Sequence, residues 1–334
     1  MDFSAKYDEA RKMMNQIGKI VQLDFNKSLL SGPYDPKIND IYNYVIKYWK
    51  DYERPALISF ACKAVGGNIE DAYPFGVIMY MLGSGIGIHD DIIDKTKYKH
   101  YDMTIPGKYG NDLGLITGDL LIIKSLTYFR EIIGKFQNNI IIDIMEAYEN
   151  FVSSMWFGEI MEISYRKNLD IDLNEYHESL YKLGTDAEAC MKIGAIIGNA
   201  TQKEIENLSA YGKNLGYINR LFEEIKDTLN IDGKLSDRIQ NESIPLPILY
   251  ASKQSKSNYK ILTDKINSNE FIASDIEPIL KICFTSNSFD YIKNKADKIT
   301  EITYKKLEEI KPSDARIYLK SLLWKLNNDI HTIC

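Results

Sequence analysis

Three aspartates, Asp90, Asp91 and Asp94, form a DDxxD pattern. On a helix, positions four apart share a face, so Asp90 and Asp94 project together with Asp91 beside them. Like charges this close repel, and the apolar run before them, Phe75 to Ile88, reads as a cavity wall rather than open water. A hard divalent cation is the natural remedy, because Mg²⁺ takes one or two carboxylates together with substrate phosphates. A second cluster, Glu223-Glu224-Ile225-Lys226-Asp227, repeats the spacing after another partly apolar helix. Either cluster by itself could be a solvated acidic helix face. Two of them on two long helices could face each other across a bundle and hold several Mg²⁺ ions on a diphosphate.

The elements that must carry these residues read as helices. Of nine prolines, none falls from Gly107 through Ile244, so the strongest helix breaker is missing from the middle of the chain. Apolar residues recur there at three and four: Leu113, Ile116, Leu120, Ile123 and Leu126 form one stripe, and Ile141, Ile144, Met145, Tyr148, Val152 and Met155 another. Thr201 with Glu204 is a capping-box signature for a helix start. Breaks are expected near Asn168–Asn174 and Asn230–Gly233, and shorter helices over Ser252–Lys311. Gly83, Gly85 and Gly87 each cost a helix roughly 0.5–1 kcal/mol against alanine, which calls for a reason such as close packing or a cavity wall. The expected architecture is all-α: a helical bundle around a central cavity, with residues 1–334 as one domain because nothing in the composition marks a boundary.

Composition narrows the function. The 334 residues are 45% apolar and 26% charged, an ordinary globular balance. A net charge of −6 argues against a nucleic-acid partner, which would need a basic face. A negative protein that handles anions must gather cations locally or borrow them as metal ions. The four cysteines, Cys62, Cys190, Cys283 and Cys334, show no CxxC pair, so neither a zinc site nor a disulfide framework is expected. No uninterrupted apolar stretch reaches the ~18 residues of a spanning helix. Without a signal peptide over Met1–Met14, a cytoplasmic protein is the expectation.

The motifs taken together resemble those of the trans-isoprenyl diphosphate synthases, the polyprenyl synthetase family. Asp90–Asp94, Lys108-Tyr109-Gly110 and Gly118-Asp119-Leu120-Leu121 follow in that family's order. Gly158-Glu159-Ile160-Met161-Glu162 resembles its GQxxD, and Lys182 stands at the lysine of its KT motif, with Leu183 in place of threonine. Arg54-Pro55 resembles the end of its GGKRxRP. The resemblance implies a bundle that is usually dimeric, Mg²⁺ as cofactor, and the joining of an allylic diphosphate to isopentenyl diphosphate. It implies Asp90, Asp91, Asp94, Glu223, Glu224 and Asp227 around the metal ions, Asp90, Asp94 and Lys182 in catalysis, and Arg54, Lys99, His100, Lys182 and Arg220 on the substrates. The family's product length is set five positions before the first aspartate. Gly85 there implies an open cavity floor, with Met81 one turn away as the candidate to close it.

The departures concentrate where isopentenyl diphosphate would bind. Asp51-Tyr52 replace the family's Lys-Arg, Gly83 replaces its histidine, and Lys99-His100 replace its Arg-Arg. Asn219-Arg220 replace its Phe-Gln, and Asn241-Glu242-Ser243 hold no counterpart of its late Gly-Lys. A second diphosphate needs fixed cations, and aspartate repels it. Two further readings therefore stay open: a terpene-synthase-like lyase that needs only the allylic diphosphate, and a non-catalytic subunit of a synthase.

Overall fold

The structure, a computed structural model, describes residues 2–32, 35–99, 102–267 and 272–333. Its helices are α1 (Phe3–Leu30), α2 (Pro36–Tyr48), α3 (Glu53–Ala64), α4 (Tyr73–Ile93), α5 (Ile105–Tyr109), α6 (Asn111–Ile132), α7 (Asn138–Ser164) and α8 (Leu173–Leu183). They continue as α9 (Thr185–Ile197), α10 (Gln202–Thr228), α11 (Leu235–Asn241), α12 (Leu246–Gln254), α13 (Lys256–Ile266), α14 (Ile276–Thr285), α15 (Ser288–Glu308) and α16 (Asp314–Thr332). The all-α expectation holds, with one small exception. Strands β1 (Tyr98–Lys99) and β2 (Asp102–Met103) pair antiparallel, Lys99 opposite Asp102.

Local chemistry fixes the ends of several helices. Asp2 accepts hydrogen bonds from the backbone N–H groups of Ser4 and Ala5. Pro74 sits in the first turn of α4, where its missing N–H costs nothing. The Thr201–Glu204 capping box forms as read from the sequence. The breaks after α7 and α10 fall where the Asn-rich segments place them. Not all of the C-terminal third breaks into short pieces, however: α15 runs 21 residues.

Helix α4 is the axis on which the site is built. It packs against α3 on one side and α6 on another, and α3 in turn packs on α9, which packs on α10. Most of α4 is buried, from Phe75 to Ile86. Tyr80 is fully buried, its ring centroid 4.5 Å from that of Phe25 of α1 in a tilted contact. A buried side chain of this size stabilises the fold by about 1.5–3 kcal/mol.

Gly85 marks where α6 crosses α4. A Cβ there would stand 2.7 Å from the Gly118 carbonyl oxygen, closer than a Cβ approaches such an atom. Gly85 therefore does not leave a cavity floor open; the backbone of α6 occupies that side. Met81 is buried in the core. The apolar stripe of α6 also faces the other way from a core stripe. Leu113, Ile116, Ile123 and Leu126 are exposed, and the buried face is Gly114, Thr117, Gly118, Leu121, Ser125 and Phe129.

Candidate active site

The last turn of α4 carries Asp90 and Asp91, and Asp94 caps its C-terminus. These three split by environment. Asp91 is buried, and its Oδ1 pairs with Lys99 Nζ at 2.6 Å. Burial raises its pKa to about 6, and Lys99 restrains the rise. Asp90 is more open, with Lys99 at 3.6 Å. Burial pushes Asp94 up to about 9, aided by the negative charge of Asp90, Glu242, Glu162 and Glu159. The β1–β2 pairing holds Lys99 against the helix end. Burial disfavours the charge of Lys99, yet Asp90 and Asp91 outweigh that and its pKa is raised.

Across from α4, α7 presents Glu159 and Glu162. Burial raises Glu159 to about 8, with Asp90 and Glu162 adding to the rise and Arg220 opposing it. Asp94 and Glu159 are thus held towards their protonated forms, by burial first and by the negative charge of their neighbours, Asp90 among them, second. Among the described residues, no three histidine, cysteine or carboxylate side chains already stand close enough to hold an ion by themselves. An all-oxygen donor set under mutual repulsion fits Mg²⁺ carried in with a substrate diphosphate, which supplies the remaining ligands.

The second cluster divides more sharply. Glu223 lines a cavity, with Lys226 at 3.5 Å. Its neighbour Glu224, expected among the metal ligands, turns into the protein instead. Its Oε1 accepts from Arg238 at 2.9 Å, while Oε2 accepts from the Tyr176 hydroxyl at 3.0 Å and the Leu246 N–H. Both oxygens are committed, and burial raises Glu224 to about 7, opposed by Arg238. On a helix, adjacent residues point about 100° apart, which lets Glu223 meet the cavity while Glu224 meets Arg238 and Tyr176. Asp227 stands 3.5 Å from Arg238.

Arg238 of α11 is the residue that the motifs do not announce. It pairs with Glu162 at 3.0 Å and Glu242 at 2.7 Å as well as with Glu224 and Asp227, and it donates to the Ser243 backbone oxygen at 3.2 Å. It supplies a fixed cation beside the second acidic cluster and Glu162 of α7. Nothing in its local sequence marks it, because its four partners lie on α7, α10 and α11 or just beyond.

Two cavities adjoin the carboxylates and share Arg54 and Arg220. The smaller, of about 170 Å³, lies between Trp49, Gly83, Ile86 and Gly87 on one side and Phe151, Met155 and Glu159 on the other, with Asp90 and Lys99 at its polar end. Ile86, Phe151 and Met155, not Met81, form its apolar wall. The larger, of about 630 Å³, reaches from Arg54 and Glu223 to Lys325 and Asp329 of α16.

The replaced basic positions resolve as follows. Tyr52 turns onto α1, its ring against Gly18 and its hydroxyl 3.1 Å from Gln22. Asp51 is buried and does not stand as a free negative charge, because Arg54 Nη1 pairs with it at 2.8 Å. The other end of Arg54 pairs with Asp186 at 2.8 Å. Arg220 donates to the Leu183 carbonyl at 2.9 Å and lines both cavities. Lys182 pairs with Glu178 at 3.5 Å and lines neither cavity; its neighbours Gly184 and Asp186 line the larger one. His100 lies outside the described residues, as does Cys334; Cys62, Cys190 and Cys283 are buried free thiols.

Comparison with known proteins agrees with this geometry. Residues 35–283 match the family model described as polyprenyl synthetase. The chain is 26% identical to the geranylgeranyl diphosphate synthase of Sulfolobus acidocaldarius over 286 residues, which covers 82% of this chain and 84% of that one. It is 24% identical to the farnesyl diphosphate synthase of Micrococcus luteus, covering 76% and 89%. In three dimensions it resembles the geranylgeranyl pyrophosphate synthetase of Pyrococcus horikoshii, with a TM-score of 0.85 at 20% identity over 96% of this chain and 98% of that one. No described helix is long and apolar enough to cross a membrane. The family match spans most of the sequence and includes both acidic clusters: the chain belongs to the polyprenyl synthetase family of prenyltransferases.

Proposed function

We propose that this protein is a Mg²⁺-dependent isoprenyl diphosphate synthase that joins an allylic diphosphate to isopentenyl diphosphate. The observation that carries the reading is a cavity lined by the carboxylates Asp90 and Glu159, the cations Lys99, Arg54 and Arg220, and the apolar Trp49, Ile86, Phe151 and Met155, with Asp94 near enough for Asp90 and Glu159 to raise its pKa. Mg²⁺, held by Asp90 and Asp94 with Glu223 and Asp227 opposite, would neutralise the leaving diphosphate. Lys99 and Arg220 orient that diphosphate from the cavity wall, and the apolar side chains keep water from the reacting carbon. The allylic C–O bond breaks, the double bond of isopentenyl diphosphate attacks the cation, and a proton is lost. The chain works as one domain, in the cytoplasm, as a homodimer that covers the exposed apolar residues of α6 and α7.

A specific observation favours a second reading. Arg54, the one arginine kept from the family's basic segment, is clamped between Asp51 and Asp186, so the larger cavity offers few free cations to a second diphosphate. A lyase acting on the allylic diphosphate alone would not need them. One assay separates the two. Purified protein and Mg²⁺ are incubated with allylic diphosphates of five to twenty carbons, with and without labelled isopentenyl diphosphate. A labelled, elongated diphosphate is the expected product. Hydrocarbon or alcohol formed without isopentenyl diphosphate would favour the lyase, and no turnover of any allylic diphosphate would remove both readings.

A further inference from the structure

We propose that Trp49 forms the aromatic wall against which the allylic cation develops, making it a catalytic residue of this protein. The inference rests on the reading above that an allylic diphosphate ionises in the small cavity. When the C–O bond breaks, the electron pair leaves with the diphosphate oxygen. The positive charge is then shared by the first and third carbons of the allyl group. The leaving group belongs with Asp90 and the cations Lys99, Arg54 and Arg220, so the allylic cation develops towards the carbon-lined part of the wall, Trp49, Ile86, Phe151 and Met155.

Trp49 belongs to that wall. Its benzo edge fits a notch made by Gly87: a Cβ on Gly87 would lie 2.4 Å from Cη2 and 2.8 Å from Cζ3, so only glycine admits the ring. Gly87 precedes Asp90 by three residues, about 4.5 Å along the helix axis at 1.5 Å per residue. The backbone under the indole is fixed from both sides. Its N–H donates to Val45 at 2.8 Å, and its carbonyl accepts from the Tyr80 hydroxyl at 2.7 Å. The indole N–H is itself buried, with no partner among the described residues, so the part of Trp49 that the cavity meets is carbon. Trp49 lines the cavity with carbon, which offers the cation no nucleophile, and an aromatic ring attracts a cation that lies over its face through the π quadrupole. The cavity volume, about 170 Å³, is close to that of an engineered apolar cavity of about 150 Å³ that binds benzene. The reacting end of an allyl chain therefore fills it and is held near the ring.

The test follows single-turnover loss of geranyl diphosphate with Mg²⁺ and isopentenyl diphosphate. Trp49→Phe, which keeps a ring, should stay within about threefold of wild type. Trp49→Leu should slow cleavage about 30-fold, the equivalent of ~2 kcal/mol for a desolvated cation–π contact, with the KM for geranyl diphosphate changed less than about threefold. If Trp49→Leu does not fold, a trifluorinated tryptophan placed at position 49 keeps the shape and weakens the quadrupole. It should slow cleavage about tenfold. Cleavage unchanged by both the leucine and the fluorinated residue would overturn the role of Trp49 while leaving the functional reading intact. A wild-type protein that cleaves no allylic diphosphate of five to twenty carbons would overturn both.

Discussion

Arg54 Nη1 stands 2.8 Å from Asp51 Oδ2, an ion pair between residues three apart in the chain and largely closed off from water. The pair explains how an aspartate can stand behind Arg54, which lines both cavities: its charge is already answered. It also lowers what Arg54 can offer a ligand. Asp51→Asn should leave Arg54 freer to donate, and lower the KM for isopentenyl diphosphate about three- to tenfold, the effect of one added charge-assisted hydrogen bond. Steady-state kinetics at saturating allylic substrate reads this directly; an unchanged KM would mean Arg54 does not face that ligand.

Adjacent glutamates should behave oppositely. Glu224→Ala removes two acceptors from a buried arginine and a tyrosine, so urea unfolding should show a loss of about 3 kcal/mol. Glu223→Gln should leave stability within about 0.5 kcal/mol, as a change at a cavity rim, yet lower kcat/KM by at least tenfold. The reverse pattern would exchange their roles.

The buried His177 should give stability a pH dependence. Its Nδ1 lies 2.7 Å from the Tyr217 hydroxyl and its Nε2 2.7 Å from that of Tyr291. Burial first, and Lys295 second, lower its pKa to about 3. The neutral ring is therefore the folded form. Below pH 6.5 the unfolded chain takes up a proton that the folded chain refuses, so stability present above pH 6.5 is lost as pH falls towards 3, by up to about 1.4 kcal/mol per unit. Denaturation at pH 7, 6 and 5 should show His177→Gln losing less stability per unit than wild type. Parallel slopes would place that titration elsewhere.

The outward stripe of α6 predicts association. Ile123 and Leu126 of α6 and Met145 of α7 are all more than half exposed. Such apolar exposure on a folded protein marks an interaction face. Light scattering should report a dimer for the wild type and a monomer for Leu126→Glu combined with Met145→Glu. A monomeric wild type would assign that face to another partner.

The helices and the first acidic cluster were legible because both rest on local spacing: the three-and-four period, the capping box at Thr201 and the i, i+4 relation of Asp90 and Asp94. What spacing does not encode is which way a helix face looks. The α6 stripe reads as a stripe whether it meets core or solvent, and Glu223 and Glu224 differ only by a rotation about α10. Pairings across the chain were equally hidden. Arg238 gathers carboxylates from three parts of the sequence, and Gly85 is explained only by the α6 backbone that crosses it.

The account turns on one claim, that an allylic diphosphate binds through Mg²⁺ at Asp90 and Asp94. Calorimetric titration with a thio analogue of geranyl diphosphate, in which sulfur replaces the cleaved oxygen, isolates binding from turnover. Binding should require Mg²⁺ and should weaken at least a hundredfold in Asp90→Asn combined with Asp94→Asn. Equal binding without Mg²⁺, or binding untouched by the two substitutions, would contradict it.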